Sequence, residues 1–73
     1  MAAVNNAQQA INIVDNFIAR YHWYKKLLSC NRAEKEWVLV YDVGSLVNEF
    51  VQVRVDPANG EILEYTNHGA KKP

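Results

Sequence analysis

From Ala7 the apolar residues Ala10, Ile11, Val14, Phe17, Ile18 and Tyr21 recur at steps of three and four, the stripe of an amphipathic helix with one buried face. Asn5 or Asn6 is placed to cap its start. Gln8, Gln9, Asn12, Asp15, Asn16 and Arg20 fall on the opposite side and suit water. Ile13 lies off the stripe, so it either widens the buried face or meets another molecule. Tyr21-His22-Trp23-Tyr24 contains neither Gly nor Pro and is compatible with a helix reaching Leu28. Aromatic residues favour strands, however, so the pattern predicts a stop near Tyr21 or His22 and a first, irregular strand from Tyr24 to about Asn31.

Beyond the polar connection Arg32 to Glu36, the pattern changes to a period of two. Trp37, Leu39, Tyr41 and Val43 share one face and Val38 and Val40 the other, the signature of a central strand. Gly44-Ser45 supplies a turn. A second alternating run follows from Val47 to Asp56, with Glu49, Val51, Val53 and Val55 opposite Phe50, Gln52 and Arg54. Asp56-Pro57-Ala58-Asn59-Gly60 has the chemistry of a tight turn, with Pro57 pre-setting φ and Gly60 free to take positive φ. It predicts a hairpin into Glu61 to Tyr65. The predicted fold is α+β, one N-terminal amphipathic helix packed on a three- to four-stranded antiparallel sheet. A single domain spans residues 1–73, ordered over about 6–65, with 66–73 a flexible tail.

The strand Trp37-Val38-Leu39-Val40 and the hairpin from Val53 to Leu63, whose core is Val53-Arg54-Val55-Asp56 followed by Gly60-Glu61-Ile62, resemble the PepSY domain family. The resemblance runs from about Ala7 to Tyr65. It implies a helix on a curved antiparallel sheet, and a non-catalytic module that binds or restrains a peptidase or another partner enzyme. PepSY domains are usually exported or attached to membrane proteins, which the start of this chain does not suggest. A weaker likeness is to a family of gas-vesicle accessory proteins, which shares the Trp-led strand and the closing hairpin but carries an arginine-rich end that is missing here.

Composition narrows the partners. Eight Lys+Arg balance eight Asp+Glu in 73 residues, so the chain lacks the electrostatic footprint of a general nucleic-acid binder. No apolar run is long enough to span a bilayer, and Met1-Ala2-Ala3-Val4-Asn5-Asn6 lacks a basic region followed by an apolar core. The expected location is cytoplasmic, with no membrane partner. Scaling by mass gives roughly 12,000 Å² of surface unfolded and about 4,600 Å² folded. If about 60% of the difference is apolar, its burial contributes on the order of 110 kcal/mol at ~25 cal/mol per Å², and ordering the chain at ~1.5 kcal/mol per residue costs about as much. A staple, a metal or a partner would therefore help. Cys30 is alone, which removes an intrachain disulfide.

Residues able to carry chemistry are few. Cys30, His22 and His68 are the nucleophile, base and metal-ligand candidates, but they show none of the close spacings of zinc sites. Their plainer reading is a small apolar filler and two surface histidines. Asp56, Asn59 and Glu61 resemble a cation loop only loosely, since the regular oxygen-ligand pattern is missing, and they suit a structural turn. No catalytic residue, metal or cofactor is expected. Tyr21 to Lys26 is the densest aromatic and basic strip. It either stacks on nucleobases, anchors a protein partner, or closes the core with Tyr21 and Tyr24.

A lone helix covers one sheet face, leaving Val38, Val40, Phe50 and Ile62 to meet water or protein on the other. The leading expectation is a non-enzymatic protein-binding or regulatory module, a homodimer through Val38, Val40 and Phe50, with Trp23 and Tyr24 as a second anchor. A nucleic-acid-associated protein using Tyr21 to Lys26, and an inhibitor of a partner enzyme, are the alternatives.

Overall fold

Asn6 begins the helix in extended conformation and its Oδ1 accepts the Gln9 N–H at 2.9 Å, which satisfies one of the amides a helix start leaves free. In a computed structural model of the chain, describing residues 3–73, helix α1 runs Ala7–Ile18. Met1 and Ala2, part of the start read above for a leader, lie outside the described residues. Four strands follow, β1 Lys26–Arg32, β2 Trp37–Asp42, β3 Phe50–Val55 and β4 Ile62–Gly69. They form one antiparallel sheet in the order β1-β2-β3-β4, so every connection joins neighbours and β1 and β4 are its edges.

The core lies between α1 and one sheet face. Ala10, Val14 and Ile18 from the helix meet Trp37, Leu39, Tyr41 and Val43 of the second strand and its end, with Val51, Val53 and Val55 of β3 alongside. The alternation read from the sequence thus assigns the buried face correctly in both central strands. Total accessible surface is 4690 Å², close to the mass-scaling value of about 4,600 Å². A hydrogen bond of 2.6 Å from the Tyr41 hydroxyl to Asp15 Oδ1 fastens the helix to β2. The segment before the helix is fastened too, because Val4 N–H donates to the Pro57 carbonyl at 2.7 Å and Val4 O accepts from Trp37 Nε1 at 3.2 Å. Ile13 joins the partly buried residues against the core and packs toward Gly60, so it widens the buried face.

The helix ends three residues before Tyr21. The Ile18 carbonyl accepts both the Tyr21 and His22 amides at 2.9 Å, closing the last turn and sending the chain out across the sheet end. The first strand begins at Lys26 and is irregular as expected, with a bulge between Leu27 and Ser29. At Asp56–Gly60 the predicted turn forms: Asp56 Oδ1 accepts the Ala58 amide, Asn59 Oδ1 accepts the Glu61 amide, and Gly60 sits at φ +77°.

Three expectations are corrected. The run from Val47 is not strand at its start, because Val43 N–H bonds the Glu49 carbonyl at 2.8 Å and closes the hairpin there. Residues 44–48 are left as a loop. Residues 66–69 are not tail but the end of β4, paired through Thr66 with Gln52, Asn67 with Val51 and Gly69 with Phe50; backbone pairing holds a polar segment that periodicity passes over. Ile62 packs against the core rather than on the open face, since a bulge beside Val55 shifts the register of β4.

Candidate interaction surface

The face of the sheet away from the helix is more polar than its two central valines suggest. Val38 and Val40 are half-buried and paired with Asn31 and Ser29 on one side and Arg54 and Gln52 on the other. Phe50 lies on this side of the pleat, paired with Asp42, yet only 8% of it is exposed in the single chain. It has little area left to offer a partner. Arg54 Nε lies 3.3 Å from Glu64 and 3.5 Å from Glu36, and His68 Nε2 is 3.1 Å from Gln52 Oε1. These pairs tie the strands together and leave no concentration of one charge.

Exposed apolar surface gathers instead at one end of the sheet, where the link from α1 to β1 faces the loop between β2 and β3. Trp23 is 85% exposed, Tyr21 65%, Leu46 96% and Val47 76%. All four line a groove of about 330 Å³, whose lining also includes the polar side chains of His22, Ser45 and Glu49. Each wall is braced. Tyr21 packs edge-on against Phe17, which packs in turn against Tyr65, and the Tyr65 hydroxyl shares a 3.0 Å hydrogen bond with His22 Nε2. Burial, with Glu49 and then Tyr21 nearby, pushes the Tyr65 phenol above its ordinary range, so it stays protonated and able to serve that bond. Tyr24 lies edge-on to Trp23 at 6.0 Å and supports the projecting indole.

The opposite wall is held by Asp42. Its Oδ1 accepts the Gly44 amide at 3.0 Å and the Glu49 amide at 3.2 Å, joining the two ends of the loop across its base. Gly44 is required by close approach: a Cβ there would lie 1.8 Å from the Val47 carbonyl oxygen. The loop carrying Leu46 and Val47 is therefore a shaped presentation of two apolar side chains to solvent.

Of the interface residues read from the sequence, Trp23 lines this groove with Tyr24 packed edge-on behind it, while Val38, Val40 and Phe50 lie on the sheet face. Val47 was missed because the alternating run was read as a strand from Val47 onward, and Leu46, between that run and the Gly44-Ser45 turn, was given no role; their adjacency, which breaks alternation, was the available signal. Tyr21 does not close the core. The chemical candidates are dispersed. Cys30 packs on the core side of β1, where burial raises its thiol pKa and disfavours the thiolate, and two strands separate it from β4, which carries His68, roughly 14 Å of sheet. His22 is engaged with Tyr65. Among the described residues no group of three or more His, Cys, Asp and Glu is placed to hold a metal ion, and no helix is long and apolar enough to cross a membrane.

Fold and surface together define an α+β module, a helix on a four-stranded antiparallel meander, with a groove at one end of the sheet that exposed apolar side chains flank. No protein-family model matches the chain, and no curated protein or solved structure matches it.

Proposed function

We propose that the chain is a non-enzymatic protein-binding module whose contact surface is the groove between Trp23 and the Leu46-Val47 loop. The observation that carries this reading is the placement of four of its large exposed apolar side chains around one recess. Exposed apolar patches of this kind mark interaction sites, and Trp and Tyr are the residues that most often dominate binding energy. The resemblance to PepSY domains, non-catalytic partners of other proteins, agrees in kind. A peptide with an aromatic or aliphatic anchor is the partner chemistry that fits, because Trp23, Leu46 and Val47 offer apolar contact while His22, Ser45 and Glu49 in the same lining offer polar groups to its backbone.

Selection of a random peptide library on the immobilised full chain tests the reading. Binders carrying an aromatic or aliphatic anchor are expected, with affinity falling about tenfold or more for Trp23→Ser and for Leu46→Ser. Absence of binders to a chain that stays monomeric, or binders indifferent to both substitutions, overturns it. Tyr21, Trp23, Lys25 and Lys26 are all exposed, which keeps a nucleic-acid reading in view. Single-stranded oligonucleotide binding that weakens steeply with salt and is lost in Trp23→Ser would replace the protein reading.

A further inference from the structure

The groove and its most prominent projection belong to the same patch. Trp23 stands 85% exposed on one lip and Leu46 96% exposed on the other, with a recess of about 330 Å³ between them. A surface that carries both a knob and a hole satisfies the condition for a two-fold contact, in which the same patch faces itself. We infer that two copies of this chain pair about a two-fold axis, each seating its Trp23 indole in the groove of the other against Leu46 and Val47. The inference rests on the groove being a protein contact, as proposed above, and names its occupant.

Area favours this occupant. Tyr21, Trp23, Leu46 and Val47 together expose roughly 700 Å², against about 800 Å² per partner in a standard stable interface. A pairing that buries them with the rim of the groove reaches that size without recruiting the sheet face. Net charge does not oppose it, because eight cations and eight anions leave the chain with no net charge and two copies have no long-range repulsion to overcome; Glu49, the carboxylate in the groove lining, is held by Asn67 Nδ2 at 2.7 Å. The patch also needs little ordering on contact, since Tyr24 packs against the indole and Asp42 closes the opposing loop; preformed surfaces lose less freedom on association. The sheet face competes poorly, with Val38 and Val40 half-buried and Phe50 only 8% exposed.

Sedimentation velocity of the full chain, loaded from micromolar to near-millimolar, is the test. The weight-average mass is expected to rise from 8.4 kDa toward twice that value. Trp23→Ser and Leu46→Ser are expected to weaken dimerisation by roughly 30-fold or more. Both side chains are exposed, so the variants keep the fold, which circular dichroism checks. Tryptophan emission of the wild type should shift to the blue over the same range, because Trp37 is already buried and Trp23 alone changes environment. A mass of 8.4 kDa at every loading overturns the pairing, and so does a dimer that both variants preserve. If the chain is monomeric yet still captures groove-dependent library peptides, the pairing falls and the binding-module reading stands. If it captures none, both fall.

Discussion

Asp42 is the residue on which the shape of the groove depends, and replacing it by Ala isolates that role. Its Oδ1 accepts two backbone amides, Gly44 at 3.0 Å and Glu49 at 3.2 Å. At ~1 kcal/mol for each hydrogen bond, the loss is about 2 kcal/mol. For a domain of this length that lowers Tm by about 10 °C. The local effect is larger than the global one, because the loop of residues 44–48 is joined across its base by these two bonds and by the Val43 to Glu49 backbone bond. Hydrogen exchange followed by NMR should show the Gly44 and Glu49 amides losing protection in Asp42→Ala while Leu39 and Val53 in the core keep theirs. Asp42→Asn retains the acceptor and should recover at least half of the lost stability. It separates the amide bonds from any attraction to Lys26, the cross-strand partner, which at the surface contributes little. Unchanged exchange at both amides, or an Asn variant as damaged as the Ala variant, would refute the account of the loop.

The other predictions concern the same walls and the faces behind them. Gly44→Ala should destabilise by about 2 kcal/mol or more and abolish groove-dependent binding, since the new Cβ would lie 1.8 Å from the Val47 carbonyl oxygen and 2.9 Å from the Glu49 nitrogen, both backbone atoms; a thermal melt beside a binding assay reads both effects. Tyr41→Phe removes the 2.6 Å bond to Asp15 and should cost about 2 kcal/mol in urea unfolding at neutral pH. Burial first, and Asp15 second, hold the Tyr41 phenol above its ordinary 10.0 in the folded state. Its stabilisation is therefore full below about pH 10 and lost as pH rises beyond it. The wild type should lose stability above pH 10 more steeply than Tyr41→Phe, and parallel pH profiles would contradict this. Phe50→Asp sets a carboxylate at an 8% exposed position opposite Asp42 and should unfold the chain by about 3 kcal/mol or more. Its effect on self-association would then be uninformative, and Val40→Lys, on the same face but half-buried, is the variant that tests a sheet-face dimer by sedimentation.

Much of the fold was legible because local and tertiary signals agree where a single buried face dominates. Asn6 caps the helix, Ala10, Val14 and Ile18 point inward, and the alternations of Trp37 to Val43 and Val51 to Val55 mark the sheet face that meets them. Asp56 to Gly60 was readable because Pro, Asn and Gly there each meet a specific backbone demand. What escaped reading was set by pairing across the sheet. Thr66 to Gly69 has no apolar period, yet it continues β4 because Phe50, Val51 and Gln52 supply a ladder for it. The direction of Phe50 was read correctly and its burial was not, since burial depends on neighbours brought in by register.

The segments that the sequence pattern placed least well are the two that build the groove. Trp23 sits where helix, linker and strand were all compatible with the pattern, and Leu46-Val47 mimics the start of a strand that begins at Phe50. In both cases bulky apolar residues occur where the fold buries nothing, and local preference contradicts the role the residue has within the single chain. Such conflicts are expected where selection acts on contacts made outside the chain. A Leu exposed at 96% and a Trp at 85% add nothing to the core of a domain whose burial and ordering terms nearly cancel. Their stabilising contribution is available only when another surface covers them, so the same residues that resist explanation by the monomer are the ones whose removal should leave the monomer intact and change what it binds.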